Sequence, residues 1–187
     1  MKVLVIDNYD SFTFNLVQLL GKKKCKIIIK RNDEVSLKDL ERINPDKILI
    51  SPGPGNPDSA GISVKVIIQK TDIPILGVCL GHQAIAKSFS INVIYSPQPM
   101  HGITSKILHD AKTIFENIPQ KINVMRYHSL IIQKPDPKSE IEISATTIDG
   151  IVMGIRHKTL PIEGIQFHPE SILTEFGAKI IENWLKL

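Results

Sequence analysis

Four short apolar runs, separated by stretches of helical periodicity, fill the first half of this chain and restrict its fold more than any other feature. The runs are Lys2–Ile6, Cys25–Lys30, Lys47–Ile50 and Ile73–Val78, the last with Pro74 near its start. Between them, Phe12–Leu20 places Phe12, Leu16, Leu19 and Leu20 at helical spacing, and Leu37–Ile43 and Ile62–Gln69 read as two further helices. A strand that is apolar throughout has to be covered on both faces, and alternating helices supply that cover. The pattern therefore predicts βαβ units and a buried parallel sheet.

Beyond residue 90 the pattern changes. Short β-branched runs follow one another at Ile91–Tyr95, Ile103–Leu108, Ile122–Arg126, Ile141–Thr147, Ile151–Arg156 and Ile162–Phe167. Turn sequences such as Pro135-Asp136-Pro137 and Asp149-Gly150 separate them, so antiparallel strands are expected here. A last helix is expected after Ser171 as its N-cap, with Ile172, Phe176, Ile180, Ile181, Trp184 and Leu185 on one buried stripe. There is no internal repeat, low-complexity stretch or linker. The expectation is one α/β domain over residues 1–187, an open and mainly parallel sheet flanked by helices, with an antiparallel portion added in the second half.

Bulk composition excludes several function classes. Apolar residues make up 42% and charged residues 22%, as in an ordinary soluble globular protein, and the net charge of +4 is a mild bias. The densest basic cluster, Lys22–Lys24, reads as a solvated turn, and no basic face interleaved with aromatics suggests nucleic acid. Two cysteines outside any CxxC pair argue against a disulfide framework and a structural zinc site, and favour a reducing compartment. No apolar run reaches the roughly 18 residues of a membrane span. A first strand at Lys2 leaves no room for a targeting peptide, so the expectation is a soluble protein that stays where it is made. The Ile- and Lys-rich, Ala-poor composition fits AT-rich coding DNA, which allows the cytoplasm or, for an organelle gene, the plastid stroma.

In an open parallel sheet, ligands bind beyond the carboxyl ends of the strands. Three unusual loops fall there: Asp7–Ser11, Ser51–Pro57 and Gly77–Gly81. Gly77-Val78-Cys79-Leu80-Gly81 has the form of a nucleophile elbow with Cys in place of Ser. The turn would set the Cys79 thiol at a helix N-terminus, which favours thiolate. A lone cysteine at a strand end is more commonly a small core hydrophobe, the reading kept for Cys25. What separates Cys79 is its flanking glycines together with Gln166-Phe167-His168-Pro169-Glu170-Ser171, which supplies a base and its orienting carboxylate. In extended chain, positions i and i+2 face the same side, so Glu170 can reach the imidazole of His168. Taken alone, His-x-Glu is more commonly a surface pair. Ser51-Pro52-Gly53-Pro54-Gly55-Asn56-Pro57 is rigid and stripped of side chains, so backbone N–H groups of Gly53 and Leu80 are candidates for an oxyanion hole. A phosphate cradle would need the lysine or the GxGxxG spacing that this loop lacks.

Together these segments, with Asp7–Thr13, Tyr127-His128-Ser129-Leu130 and Gly77–Gln83, resemble the class I (triad-type) glutamine amidotransferases over essentially the whole chain. Within that family the likeness is greatest to the glutaminase subunits of chorismate-using synthases. The resemblance implies a flavodoxin-like fold and hydrolysis of L-glutamine, with Cys79 as nucleophile, His168 as base and Glu170 as its orienter. It also implies that Gly53, Pro54, Gly55, Leu80, Gln83, Ser129 and Leu130 hold glutamine and the oxyanion. No cofactor or metal is expected in this chain, and magnesium is expected in the partner. That partner would be a larger synthase subunit, component I of anthranilate synthase or of aminodeoxychorismate synthase. His128 is expected to make a structural hydrogen bond, and His101, His109 and His157 to sit at the surface or in turns. Two departures stand out. Ile103 occupies a position where such relatives commonly carry Lys, which bears on a contact of that loop. Phe89-Ser90-Ile91-Asn92 replaces a common glycine pair, so Ser90 or Asn92 must take the turn.

Two other classes compete. A related peptidase would cut γ-glutamyl or short peptide bonds with the same triad, and the grips at Gln83 and Ser129-Leu130 weigh against it. A non-catalytic regulatory subunit would use Asp7 and Asp10 as an acidic pocket, and leaves Cys79, His168 and Glu170 without a role.

Overall fold

The computed structural model describes residues 1–69 and 72–187. Strands β1 (Lys2–Asp7), β2 (Lys26–Arg31), β3 (Lys47–Ile50) and β4 (Ile75–Val78) alternate with helices α1 (Thr13–Gly21), α2 (Leu37–Ile43) and α3 (Ile62–Ile68), and α4 (Leu80–Ser88) follows β4. Then come β5 (Val93–His109), β6 (Ile122–Ile132), β7 (Ile141–Thr147), β8 (Val152–His157), β9 (Ile162–Ile165) and α5 (Gly177–Lys186). Among the described residues the strands form one sheet in the order β2-β1-β3-β4-β9-β8-β7-β5-β6. The β2-β1-β3-β4-β9 half is parallel, and the remaining pairings are antiparallel. This is the mixed architecture that the sequence predicts.

The centre of the parallel half is buried on both faces because β1, β3 and β4 carry unbroken apolar runs over residues 3–6, 48–50 and 75–78. Val3 and Val5 point into a core with Leu16, Leu20, Ile180 and Trp184 from α1 and α5. Leu4 and Ile6 point the other way, among Leu40, Val66, Ile67 and Ile85 from α2, α3 and α4. α2 starts on a capping box between Ser36 and Asp39 and ends at Asn44 in the left-handed region.

Three expectations are corrected. The runs expected at Ile91–Tyr95 and Ile103–Leu108 fall, from Val93 onward, in one long strand, β5, whose pairing with β6 slips between Tyr95 and Met100 and again between His101 and Ile103. Pro97 and Pro99 interrupt the ladder there, since neither can donate to it. α5 does not begin after Ser171 but at Gly177. Thr174 Oγ1 accepts from Met125 N at 3.0 Å and donates to His168 O at 2.6 Å, while Glu175 pairs with Asn123. These bonds fasten the intervening segment to β6. Ile172 is consequently 98% exposed and Phe176 sits half-exposed at a left-handed N-cap, so neither joins the buried stripe that Ile180, Ile181, Trp184 and Leu185 do form. His109 and His157 are buried, not superficial. The turn reading does hold for both, since their Nδ1 atoms accept backbone N–H groups of the turns that follow.

Candidate active site

The site is built at the carboxyl ends of β1, β3, β4 and β9. Between β4 and α4 the chain reverses at Cys79, which takes φ 54° and ψ −100°, a conformation non-glycine residues rarely adopt. The turn is held by Cys79 N donating to Ile165 O of β9 at 2.8 Å. Both flanking glycines are needed sterically. A Cβ on Gly77 would lie 2.5 Å from the Gly81 carbonyl, and one on Gly81 would lie 2.5 Å from Ile50 O. Cys79 is 6% exposed, and its sulfur lies 3.6 Å from Gln166 Nε2 and 3.9 Å from the Tyr127 carbonyl.

His168 follows β9, its backbone N–H donating to Met125 O at 3.0 Å. Its Nδ1 lies 2.5 Å from Glu170 Oε1, with both side chains almost completely buried. The i, i+2 geometry expected from the sequence is therefore present. Nε2 is buried and meets no hydrogen-bond partner at normal distance, while the neighbouring Cys79 thiol acts electrostatically on the ring. Burial opposes a charge on this ring, but the interactions with Cys79 and Glu170 outweigh it and lift the His168 pKa to about 10. A charged imidazole beside a cysteine sulfur can hold and return a proton while that sulfur attacks an electrophilic carbon.

All the candidate binding residues line one cavity of about 240 Å³ with Cys79 at its wall: Gly53, Pro54, Gly55, Leu80, Gln83, Ser129 and Leu130. Leu80 opens α4, so its N–H has no intrahelical acceptor. Gly53 packs so tightly that a Cβ there would lie 2.6 Å from Asn8 Cβ and 2.7 Å from a Leu80 methyl. Its loop is fastened from below by Asn8, whose N donates to Ser51 Oγ and whose Nδ2 donates to Ser51 O. Gln83 Nε2 donates to Leu130 O at 3.2 Å and to Gln166 Oε1 at 3.1 Å, so the acceptor Oε1 is what it offers the cavity.

The histidine expected to be structural is so. His128 Nε2 accepts from Arg126 Nε at 3.0 Å and its Nδ1 donates to Leu130 O at 2.9 Å. Burial first, and then the Arg126 charge, push its pKa down to about 4. Burial likewise holds His82, inside α4, near 3. Asp7 is buried and Asp10 half-buried. Asp7 Oδ1 accepts from Tyr9 N, Asp10 N and Thr13 Oγ1, which shapes the β1–α1 loop. Ser90, at φ 60°, takes the turn after α4, although Asn92 tolerates that region better. Ile103 follows Gly102 on β5 and is 46% exposed.

Sequence reasoning missed the aromatic surround. Tyr127 packs edge-on to His168 with centroids 5.5 Å apart, and Phe12 lies 5.4 Å from Tyr127 and 5.7 Å from His168. A second cavity of about 410 Å³ meets the His168–Glu170 pair from the α1 side, and Tyr127 belongs to the walls of both. Nothing in the periodicity of either segment marks these rings, because the Phe12 contacts join residues more than a hundred positions apart. Gln166 was also missed as a site residue, although it shares the i, i+2 spacing with His168.

The chain belongs to the class I glutamine amidotransferases: the family model described as "Glutamine amidotransferase class-I" matches its residues 4–187. More particularly, the chain is 49% identical to the aminodeoxychorismate/anthranilate synthase component 2 of Bacillus subtilis, over 98% of this chain and 95% of that one. It is 50% identical to the anthranilate synthase component 2 of Methanocaldococcus jannaschii, over 99% of this chain and 96% of that one. Among solved structures, a glutamine amidotransferase from Thermotoga maritima shares the fold, with a TM-score of 0.77 at 18% identity, covering 100% of this chain and 81% of that one.

Proposed function

We propose that this chain is a glutaminase subunit that hydrolyses L-glutamine to glutamate and ammonia and passes the ammonia to a larger, chorismate-using synthase subunit. The observation that carries the reading is the buried Glu170–His168 pair, left with Nε2 for a cysteine in a strained elbow at the wall of a small cavity. The Cys79 thiolate attacks the side-chain amide carbon. N–H groups of Gly53 and Leu80 receive the oxyanion. His168 then gives its proton to the departing nitrogen, leaving a glutamyl-thioester. Water attacks the thioester while His168 takes its proton, and glutamate leaves. Glu170 keeps the imidazole in the tautomer and orientation both steps need.

Gln83 Oε1 and the Ser129–Leu130 backbone hold the amino-acid end of the substrate. A cavity of about 240 Å³ lies below the roughly 300–1,000 Å³ of drug-sized sites and suits one amino acid better than a peptide, which disfavours the peptidase alternative.

The partner reading rests on chemistry and on surface. Ammonia set free in neutral water is protonated and lost as a nucleophile. Phe14, Ile172, Leu173 and Phe176 are exposed on the segments that follow β1 and β9, and Ile172 lines the second cavity. A synthase docking there covers both that apolar surface and the ammonia. We assign chorismate and magnesium to this partner, component I of anthranilate synthase by first choice and of aminodeoxychorismate synthase by second. The cytoplasm or a plastid stroma suits such a complex.

Reconstitution of the complex with the Cys79→Ala chain tests the division of labour. Product should form from ammonium salts at raised pH and not from glutamine. Loss of both activities from an intact complex would contradict it.

A further inference from the structure

Gln166 directly follows β9, two residues before His168, and is fully buried. Its Nε2 lies 3.6 Å from Cys79 Sγ, and its Oε1 lies 3.1 Å from Gln83 Nε2. The polarity of this chain of amides is fixed at its far end. Leu130 O can only accept, so Gln83 must direct its NH2 toward it, at 3.2 Å. The same NH2 faces Gln166, which must then present its carbonyl to Gln83 and its own NH2 to the sulfur. On this side the sulfur therefore meets a donor at 3.6 Å, whereas its contact with the Tyr127 carbonyl, an acceptor, is longer at 3.9 Å. A carboxamide donor stabilises a thiolate far more than a thiol, which is a weak acceptor.

We propose that Gln166 is a positioning residue for the nucleophile: its buried carboxamide donates to the Cys79 sulfur and, through Gln83, ties that sulfur to the wall of the glutamine cavity. The proposal rests on the reading of Cys79 as nucleophile and deepens it. The donor acts when the thiolate attacks and again when the thioester expels it, so it belongs to turnover more than to binding.

The test uses Gln166→Met, close in length and unable to hydrogen-bond through its end, in a Cys25→Ser background where Cys79 is the one thiol. Two rates are read on correctly folded protein, normalised by active-site titration. These are alkylation of Cys79 by iodoacetamide at neutral pH, and steady-state glutamine hydrolysis. Both the alkylation rate and kcat should fall about 10- to 100-fold, the size of one hydrogen bond to a charged group. KM should move by less than about threefold, because the contacts to the substrate remain. Gln83→Met should raise KM, and it should lower the alkylation rate by less than Gln166→Met does, because it removes the donor that orients Gln166.

Wild-type alkylation and kcat in Gln166→Met would overturn the proposal, as would a rise in KM with alkylation unchanged. If hydrolysis survived full alkylation of the unaltered chain, the nucleophile reading would fall and take this proposal with it. A normal Gln166→Met whose hydrolysis is still abolished by alkylation removes this proposal alone. Should Gln166→Met not fold, the unaltered chain answers the question. The Gln166 side-chain amide resonances must shift when Cys79 is alkylated, and resonances that stay in place overturn the assignment.

Discussion

His168 is held between opposing forces, since burial favours a neutral ring while a sulfur and a carboxylate on either side favour a charged one. The account makes distinct predictions for each member of the site. Cys79→Ala should abolish glutamine hydrolysis in a folded chain, and His168→Ala should be nearly as severe because nucleophile and base act as a unit. Glu170→Ala should cost less, since it orients the base and never receives the substrate proton. Circular dichroism with steady-state assays separates these losses from unfolding. Gly53→Ala places a methyl against Asn8 and Leu80, beside the proposed oxyanion donors. It should lower kcat by about 10²-fold or more, with a smaller change in KM, because the hole acts on the transition state. A change confined to KM would make that loop a plain binding wall.

Packing decides matters at the scale of elements, and there the limits of the sequence are clearest. β1–β4, α2 and the elbow were legible because they rest on local signals: continuous apolar runs, helical spacing, and glycines bracketing a nucleophile. The His168–Glu170 pair was legible for the same reason, as an i, i+2 relation inside one segment. What could not be read depends on contacts between distant segments. The start of α5 is an instance. Ile172, Phe176 and Ile180 have helical spacing, yet Thr174 and Glu175 are bound to β6 and hold the chain in turns until Gly177. Tyr127 and Phe12 meet His168 only in three dimensions, and the Gln83–Gln166–Cys79 chain joins three separate segments. Two substitutions distinguish the expected helix from the observed one. Trp184→Ala should cost about 3–5 kcal/mol, as for a fully buried aromatic. Ile172→Ser should stay within about 0.5 kcal/mol, as for a surface change. Urea unfolding of both variants makes the comparison, and a large loss at Ile172 would restore the longer helix. Gly81→Ala should destabilise by about 1–3 kcal/mol, because its methyl would meet Ile50 O.

Across the whole molecule, the buried histidines give stability a definite pH dependence. His82 and His128 have pKa values near 3 and 4 when folded and about 6.5 when unfolded. Below pH 6.5 the unfolded chain takes up protons that the folded chain refuses. Their contribution is thus complete above 6.5 and is lost as pH falls toward 4, by an amount on the order of a few kcal/mol. His168 has the opposite sign. Its folded pKa near 10 makes its contribution complete below 6.5 and lost as pH rises through 10. Urea midpoints should therefore fall on both sides of neutrality, and a midpoint unchanged between pH 6.5 and 4.5 would contradict the acid arm. The central claim, however, is covalent: glutamine loses its amide nitrogen to form a thioester on one cysteine. The most direct measurement is intact-mass and peptide mapping of the chain after rapid acid quench during turnover of glutamine. The account predicts a glutamyl adduct on Cys79 and none on Cys25, absent altogether in Cys79→Ala. Steady hydrolysis with no adduct on Cys79, or with the adduct on another residue, would contradict it.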